Sequence, residues 1–123
     1  MIAVVDDDAG ARVATYALLR SYGYTAVHFA SAEDFLDQSS LDEVSCVISD
    51  VRMPGMSGIE LQQQLLTQRR SIPVIFVTAF PDEATKTRAI SAGAYGFLRK
   101  PYDSREMVQC LSVALGDRGH AAP

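Results

Sequence analysis

The chain has 123 residues, 48% of them apolar, and a formal net charge of −4. That is one domain's length with enough apolar side chains for a core, which excludes general disorder. The acidic balance argues against non-specific nucleic-acid binding. No apolar run approaches the ~18 residues of a membrane-spanning helix. The N-terminus lacks the basic-then-apolar pattern of a signal peptide. Cys46 and Cys110 are the only cysteines and have no metal-type spacing. Both fall in apolar periodic segments, so they read as reduced core residues of a cytoplasmic protein.

Strands and helices alternate along the chain. Residues 2–5, Ile-Ala-Val-Val, form a short apolar run that stops at Asp6, Asp7 and Asp8. A helix begins at Ala9, with Ala11, Ala14, Leu18, Leu19 and Tyr22 on one face and Gly23 as its end. Residues 25–29 read as a second strand, and Ser31 caps a short helix through Leu36. Residues 45–49 form the third strand. Gly58 opens a third helix with Ile59, Leu61, Leu65 and Leu66 inward. Residues 73–77 form a fourth strand, with Pro73 tolerated at its first position. Pro81 and Asp82 start a fourth helix that Gly93 closes, and residues 94–98 form a fifth strand. Asp103 caps a last helix with Met107, Val108, Leu111, Ala114 and Leu115 on one side.

Five βα units in succession predict an α/β fold, a parallel sheet with helices on both faces. The strands are apolar throughout rather than alternating, as buried parallel strands are. One domain is expected over residues 1–116. Residues 117–123 lack periodicity and read as a linker or frayed terminus. His120 in that tail and His28 at a strand end read as solvated side chains.

The most informative stretch is Val47 to Gly58. A β-branched run ends at Asp50, a loop rich in proline and glycine follows, and then a helix starts. Asp50 therefore sits at the carboxyl end of a central strand, where open α/β sheets place their chemistry. By itself it is a nucleophile, a metal ligand or a plain cap. Asp6 and Asp7 follow the first strand, Thr78 ends the fourth and Lys100 follows the fifth, so all converge on one edge. Each pair of carboxylates at ~4 Å repels by about 4 kcal/mol at an effective dielectric near ~20. Such a cluster calls for a cation or for protonation. Oxygen ligands without His or Cys suit Mg²⁺, with Mn²⁺ as the alternative. Asp8 reads as a helix cap.

Four motifs in order resemble the receiver domain of two-component response regulators. They are Asp6-Asp7 after the first strand, Asp50 with Met53-Pro54-Gly55-Met56-Ser57-Gly58, Thr78-Ala79, and Lys100-Pro101. The resemblance runs from Ile2 to Leu115. The Asp50–Gly58 stretch is most similar to the FixJ/NarL class, whose members usually carry a C-terminal helix-turn-helix DNA-binding domain. The chain ends where a linker would begin, as expected of an excised domain or a stand-alone receiver.

The resemblance implies a doubly wound (βα)5, flavodoxin-like fold with strand order 2-1-3-4-5. It implies a phosphoacceptor signalling domain rather than an enzyme, with self-catalysed phosphotransfer and autodephosphorylation. Asp50 would take a phosphoryl group from a sensor histidine kinase. Mg²⁺ would be held by Asp7, Asp50 and the Arg52 backbone carbonyl, with Asp6 acting through water. Lys100 and Thr78 would contact the phosphoryl oxygens, and Pro101 would shape the turn after Lys100 through a cis bond. Ala79 would leave the donor a path. Arg52 and Phe80 occupy the positions that set phosphate lifetime, here implying slow to intermediate loss. Thr78 and Phe97 would act as the switch pair. The output face would be the fourth helix, fifth strand and last helix, with Arg88, Arg99 and Glu106 on it, serving a phosphorylation-dependent homodimer. Transcriptional control would run through a DNA-binding domain elsewhere; this domain itself would contact neither nucleic acid nor membrane.

Three other readings compete. A flavodoxin-like flavin carrier would need hydroxyls and glycines after the first strand, where three aspartates stand. A haloacid-dehalogenase-type phosphatase would want a second acid two residues past Asp50, where Arg52 stands. A degenerate receiver serving only as a protein-docking module would not need the intact Asp pair, Thr78 and Lys100; a stand-alone receiver or phosphorelay module without DNA output would keep them.

Overall fold

The computed structural model describes residues 1–38 and 41–116. The expected linker at 117–123, with His120, lies outside the described residues. Five strands, β1 (Ile2–Val5), β2 (Ala26–Phe29), β3 (Cys46–Asp50), β4 (Val74–Thr78) and β5 (Gly96–Arg99), make one parallel sheet in the order β2-β1-β3-β4-β5. Between and after them lie α1 (Ala9–Ser21), α2 (Ala32–Gln38), α3 (Gly58–Thr67), α4 (Glu83–Ser91) and α5 (Ser104–Gly116). A short 3-10 turn, Leu41–Glu43, precedes β3.

Alternation along each strand divides the core in two. Ala3, Val5, Val47, Val74, Phe76 and Phe97 point to the face covered by α2, α3 and α4. Ile2, Val4, Cys46, Ile48, Ile75, Val77 and Leu98 point to the face covered by α1 and α5. The central strands β1, β3 and β4 are buried along their whole length, which explains their unbroken apolar runs. Neither cysteine forms a disulfide among the described residues; Cys46 is buried and Cys110 half-buried.

The expected caps form. Asp8 accepts the Ala11 N–H at 2.8 Å, Ser31 the Asp34 N–H at 3.0 Å, and Asp82 the Ala84 N–H at 3.1 Å. Asp103 accepts the Arg105 N–H at 2.8 Å, while the Glu106 carboxylate reaches back to the Asp103 N–H at 3.1 Å. On α5, Met107, Leu111 and Ala114 are buried as the periodicity predicts.

Three expectations are corrected. The later strands run further than expected: the third is Cys46–Asp50 rather than 45–49, the fourth Val74–Thr78 rather than 73–77 with Pro73 just before it, and the fifth Gly96–Arg99 rather than 94–98, because Asp50 still pairs with Val77 and Thr78 with Arg99. On α3, Leu66 is 48% exposed rather than inward; the buried stripe is Ile59, Leu61, Gln62 and Leu65. Gln62 takes the inward place because its Nε2 donates to the Ala89 carbonyl at 3.2 Å. On α1, Ala14 and Tyr22 are exposed, and the buried positions are Thr15 and Leu19. Tyr22 lies at the helix cap, past the last packed turn. Thr15 is held inside by a 2.6 Å hydrogen bond between its hydroxyl and that of Tyr102.

Candidate functional site at the carboxyl edge of the sheet

Register places the site. Val5 pairs with Ser49, Asp50 with Val77, and Thr78 with Arg99. The next residue on β1 is Asp6 and the next on β5 is Lys100, whose N–H continues the ladder to the Thr78 carbonyl at 2.8 Å. Four strand ends thus deliver Asp6, Asp50, Thr78 and Lys100 to one edge. Gly58 lets α3 start there. A Cβ at that position would overlap the Asp50 carbonyl oxygen, so only glycine fits. Its N–H bonds the Val51 carbonyl at 2.9 Å, and Ser57 and Glu60 form a capping box behind it.

The carboxylates meet as expected. Oxygens of Asp6, Asp7 and Asp50 lie within 4.8 Å of one another. Asp6 and Asp50 are buried, and Asp7 is exposed. Lys100 bridges the buried pair, its Nζ lying 2.8 Å from Asp6 Oδ2 and 3.2 Å from Asp50 Oδ2. The partnership is unequal. Desolvation works against the Lys100 charge, but the hydrogen bond and negative charge of Asp6, reinforced by Asp50, outweigh it and raise its pKa. Burial pushes the Asp50 carboxyl above its ordinary range. Lys100 offsets part of that rise, and the charge of Asp6 adds to it. The set of hard oxygens, with one ammonium against three carboxylates, fits a small divalent cation.

The remaining predicted residues take different positions. Thr78 is buried at the rim, its Oγ1 accepting the Phe80 N–H at 3.1 Å, which leaves the hydroxyl hydrogen to donate. The Lys100–Pro101 bond is cis, as expected. Ala79 is exposed beside the site. Arg52 and Phe80 are both exposed, and the Arg52 guanidinium stands 5.9 Å from the centre of the Phe80 ring, a cation–π contact joining the loops after β3 and β4. Phe97 is half-buried on the α4 side of β5, tilted against Phe76 at 6.2 Å. His28 is exposed, edge-on to Tyr16 at 4.9 Å.

Three supports escaped the sequence reading. Arg12 donates from α1 to the Asp6 carbonyl at 3.0 Å. The Thr15–Tyr102 bond ties α1 to the segment after Lys100. Glu33 of α2 accepts the Met56 N–H at 3.0 Å. The last two have no local signal, since they link elements remote in sequence, and Arg12, six residues from Asp6, reads as an ordinary helix charge.

Comparison with known proteins agrees with this geometry. The family model described as "Response regulator receiver domain" matches residues 2–112. The transcriptional regulatory protein TdiR of Thauera aromatica is 38% identical over 112 residues, which is 91% of this chain and 49% of that protein. The transcriptional regulatory protein FixJ of Bradyrhizobium diazoefficiens is 36% identical over 121 residues, 98% of this chain and 59% of that protein. The solved structure of the response regulator StyR superposes with a TM-score of 0.89 at 39% identity, covering 96% of this chain and 60% of that one. The chain thus spans about half to three-fifths of the length of these relatives.

Proposed function

The chain belongs to the response regulator receiver domain family, a signalling module of two-component systems, and from that premise we propose that Asp50 accepts a phosphoryl group from a phosphohistidine of a sensor histidine kinase. The observation that carries this reading is the Asp50 carboxylate itself. It is buried at a strand end, within salt-bridge reach of Lys100, and crowded by Asp6. An Asp50 carboxylate oxygen attacks phosphorus, the phosphorus–nitrogen bond to the kinase histidine breaks, and an acyl phosphate forms. Lys100 pairs with a phosphoryl oxygen, and Thr78 donates its hydroxyl hydrogen to another. Ala79 leaves the approach open, while Arg52 and Phe80 cover one side and slow attack by water.

Receiver domains generally bind Mg²⁺ in an acidic pocket. Here Asp7, Asp50 and the Arg52 carbonyl would hold it, with Asp6 acting through water. The bound ion supplies positive charge that neutralises phosphoryl oxygens during transfer.

Readout follows from Thr78 turning toward the phosphoryl oxygen and Phe97 rotating into the space beside β5. The face formed by α4, β5 and α5, with Arg88, Arg99 and Glu106, then serves as a phosphorylation-dependent homodimer contact. Because the relatives are transcriptional regulators and about twice as long, the output proposed is transcription, through a DNA-binding domain rather than through this acidic domain. No helix among the described residues is long and apolar enough to cross a membrane, which accords with a cytoplasmic site of action. Incubation with acetyl phosphate and MgCl₂ followed by intact-mass measurement tests the reading. The parent gains one labile phosphoryl adduct and Asp50→Asn gains none; a normal adduct on Asp50→Asn would sink the assignment.

A further inference from the structure

The loop between Asp50 and α3 carries the Arg52 carbonyl and sets the mouth of the cleft, so what holds it matters. Its inner part is tied down at several points. The Val51 N–H continues the ladder to the Val77 carbonyl at 3.1 Å, Gly58 closes back on Val51, and Met53 is buried in the core. Ser57 is fixed by its box with Glu60. The outer part, Pro54 to Met56, is exposed or half-exposed. The hydrogen bond found there comes from another element: Glu33, in the first turn of α2, accepts the Met56 N–H through Oε2 at 3.0 Å.

A second observation sets this carboxylate close against the loop backbone. Gly55 has φ +73°, and a Cβ on it would lie 2.5 Å from Glu33 Oε2. Glycine therefore does two things at once: it takes the left-handed conformation, and it leaves room for the Glu33 carboxylate to reach the next N–H. Ser31 caps α2 and fixes the direction from which Glu33 arrives.

We infer that Glu33 is a positioning residue for the phosphoacceptor loop, its carboxylate holding the Met56 N–H so that the backbone from Arg52 to Met56 is set before metal or phosphoryl group arrives. This rests on the reading of Asp50 and the Arg52 carbonyl as the phosphoacceptor and metal site. Glu33 touches neither the reacting atoms nor the ion. It acts through backbone order, as groups behind metal ligands do. The role belongs to the hydrogen bond and not to the charge, so glutamine, whose Oε1 also accepts, replaces it.

The test uses amide hydrogen exchange in chelator and calorimetric titration with MgCl₂ alone. In the parent, the Met56 amide is protected. In Glu33→Ala it exchanges at least about tenfold faster, and Mg²⁺ binds about tenfold more weakly. Glu33→Gln keeps both within about twofold of the parent. An unprotected Met56 in the parent overturns the inference whatever the variants do. So does Glu33→Ala matching the parent in both measurements, or Glu33→Gln losing Mg²⁺ affinity as much as Glu33→Ala, which would assign the effect to charge. Failure of phosphoryl transfer to Asp50 would overturn the underlying reading while leaving the exchange result readable.

Discussion

The slab between α5 and the sheet and the region formed by the carboxyl edge with α4 are held in opposite ways. On α5, Met107, Leu111 and Ala114 have no exposed surface, and they lie on Ile48, Ile75, Val77 and Leu98. Burying a Leu or Met side chain is worth about 1.5–3 kcal/mol, so this helix is anchored by area. On α4 only Ala89 is buried, and Ile90 is 47% exposed. A methyl group contributes about 0.8 kcal/mol. Its side-chain tie to α3 is polar, the Gln62–Ala89 hydrogen bond, while the Asp82 cap orders its own first turn. The neighbouring cleft is also polar, three clustered carboxylates of which two pair with one lysine. The apolar slab gives the domain its fixed frame. The polar region stores the charge imbalance and offers the element with least burial to lose when it moves.

Substitutions of similar size should therefore have unlike effects in the two regions. The largest is expected in the slab. Leu111→Ala removes a fully buried side chain and should cost about 2–5 kcal/mol in denaturant unfolding; a loss below about 1 kcal/mol would mean that α5 is not area-anchored.

In the cleft the sign reverses. Asp50→Asn should stabilise the metal-free protein by about 1–2 kcal/mol at neutral pH, because a buried charge repelled by Asp6 is removed. Lys100 keeps its closer partner, Asp6, at 2.8 Å. The sign with pH follows from the raised Asp50 pKa. The folded state binds the proton more tightly than the unfolded chain, so the parent loses stability as pH rises from the ordinary aspartate range through the raised value. The advantage of Asn should be present above that window and vanish below it. Melts in chelator across pH check this; an Asp50→Asn that melts below the parent at neutral pH refutes the crowded cleft.

The smallest effect is expected at the α4 tether. Gln62→Leu loses about 1 kcal/mol of hydrogen bonding, but it also removes a buried Oε1 that has no partner among the described residues. The Ala89 carbonyl keeps the Ala94 N–H at 3.0 Å. Net stability should change by under about 1 kcal/mol, while α4 amides exchange faster than α5 amides. Equal acceleration of both helices would erase the distinction between the regions.

The contrast also separates what could be read from the sequence. Buried parallel strands are apolar runs, and polar residues that interrupt them mark the carboxyl edge. That is why Asp6, Asp50, Thr78 and Lys100 could be located before any coordinates. Helix faces were less legible. Leu66 fits a 3.6-residue pattern but lies in the last turn, and Gln62 faces inward because an acceptor on α4 awaits it. Thr15 looked polar and is buried because Tyr102, 87 positions away, shares its hydroxyl bond. Glu33 and Arg12 resemble any exposed charges on a helix. Their roles depend on which loop ends beside them, and only the folded topology fixes that.

The direct test of signal transfer is amide exchange with Mg²⁺, with and without beryllofluoride as a phosphoryl mimic, on the parent and on Asp50→Asn. Loading the parent should change exchange in α4 and β5, leave the buried amides near Met107 and Leu111 of α5 almost unaltered, and do nothing in Asp50→Asn. Unchanged α4 in the loaded parent, or the same response in Asp50→Asn, would contradict the proposal that charge at Asp50 is read through the loosely anchored helix.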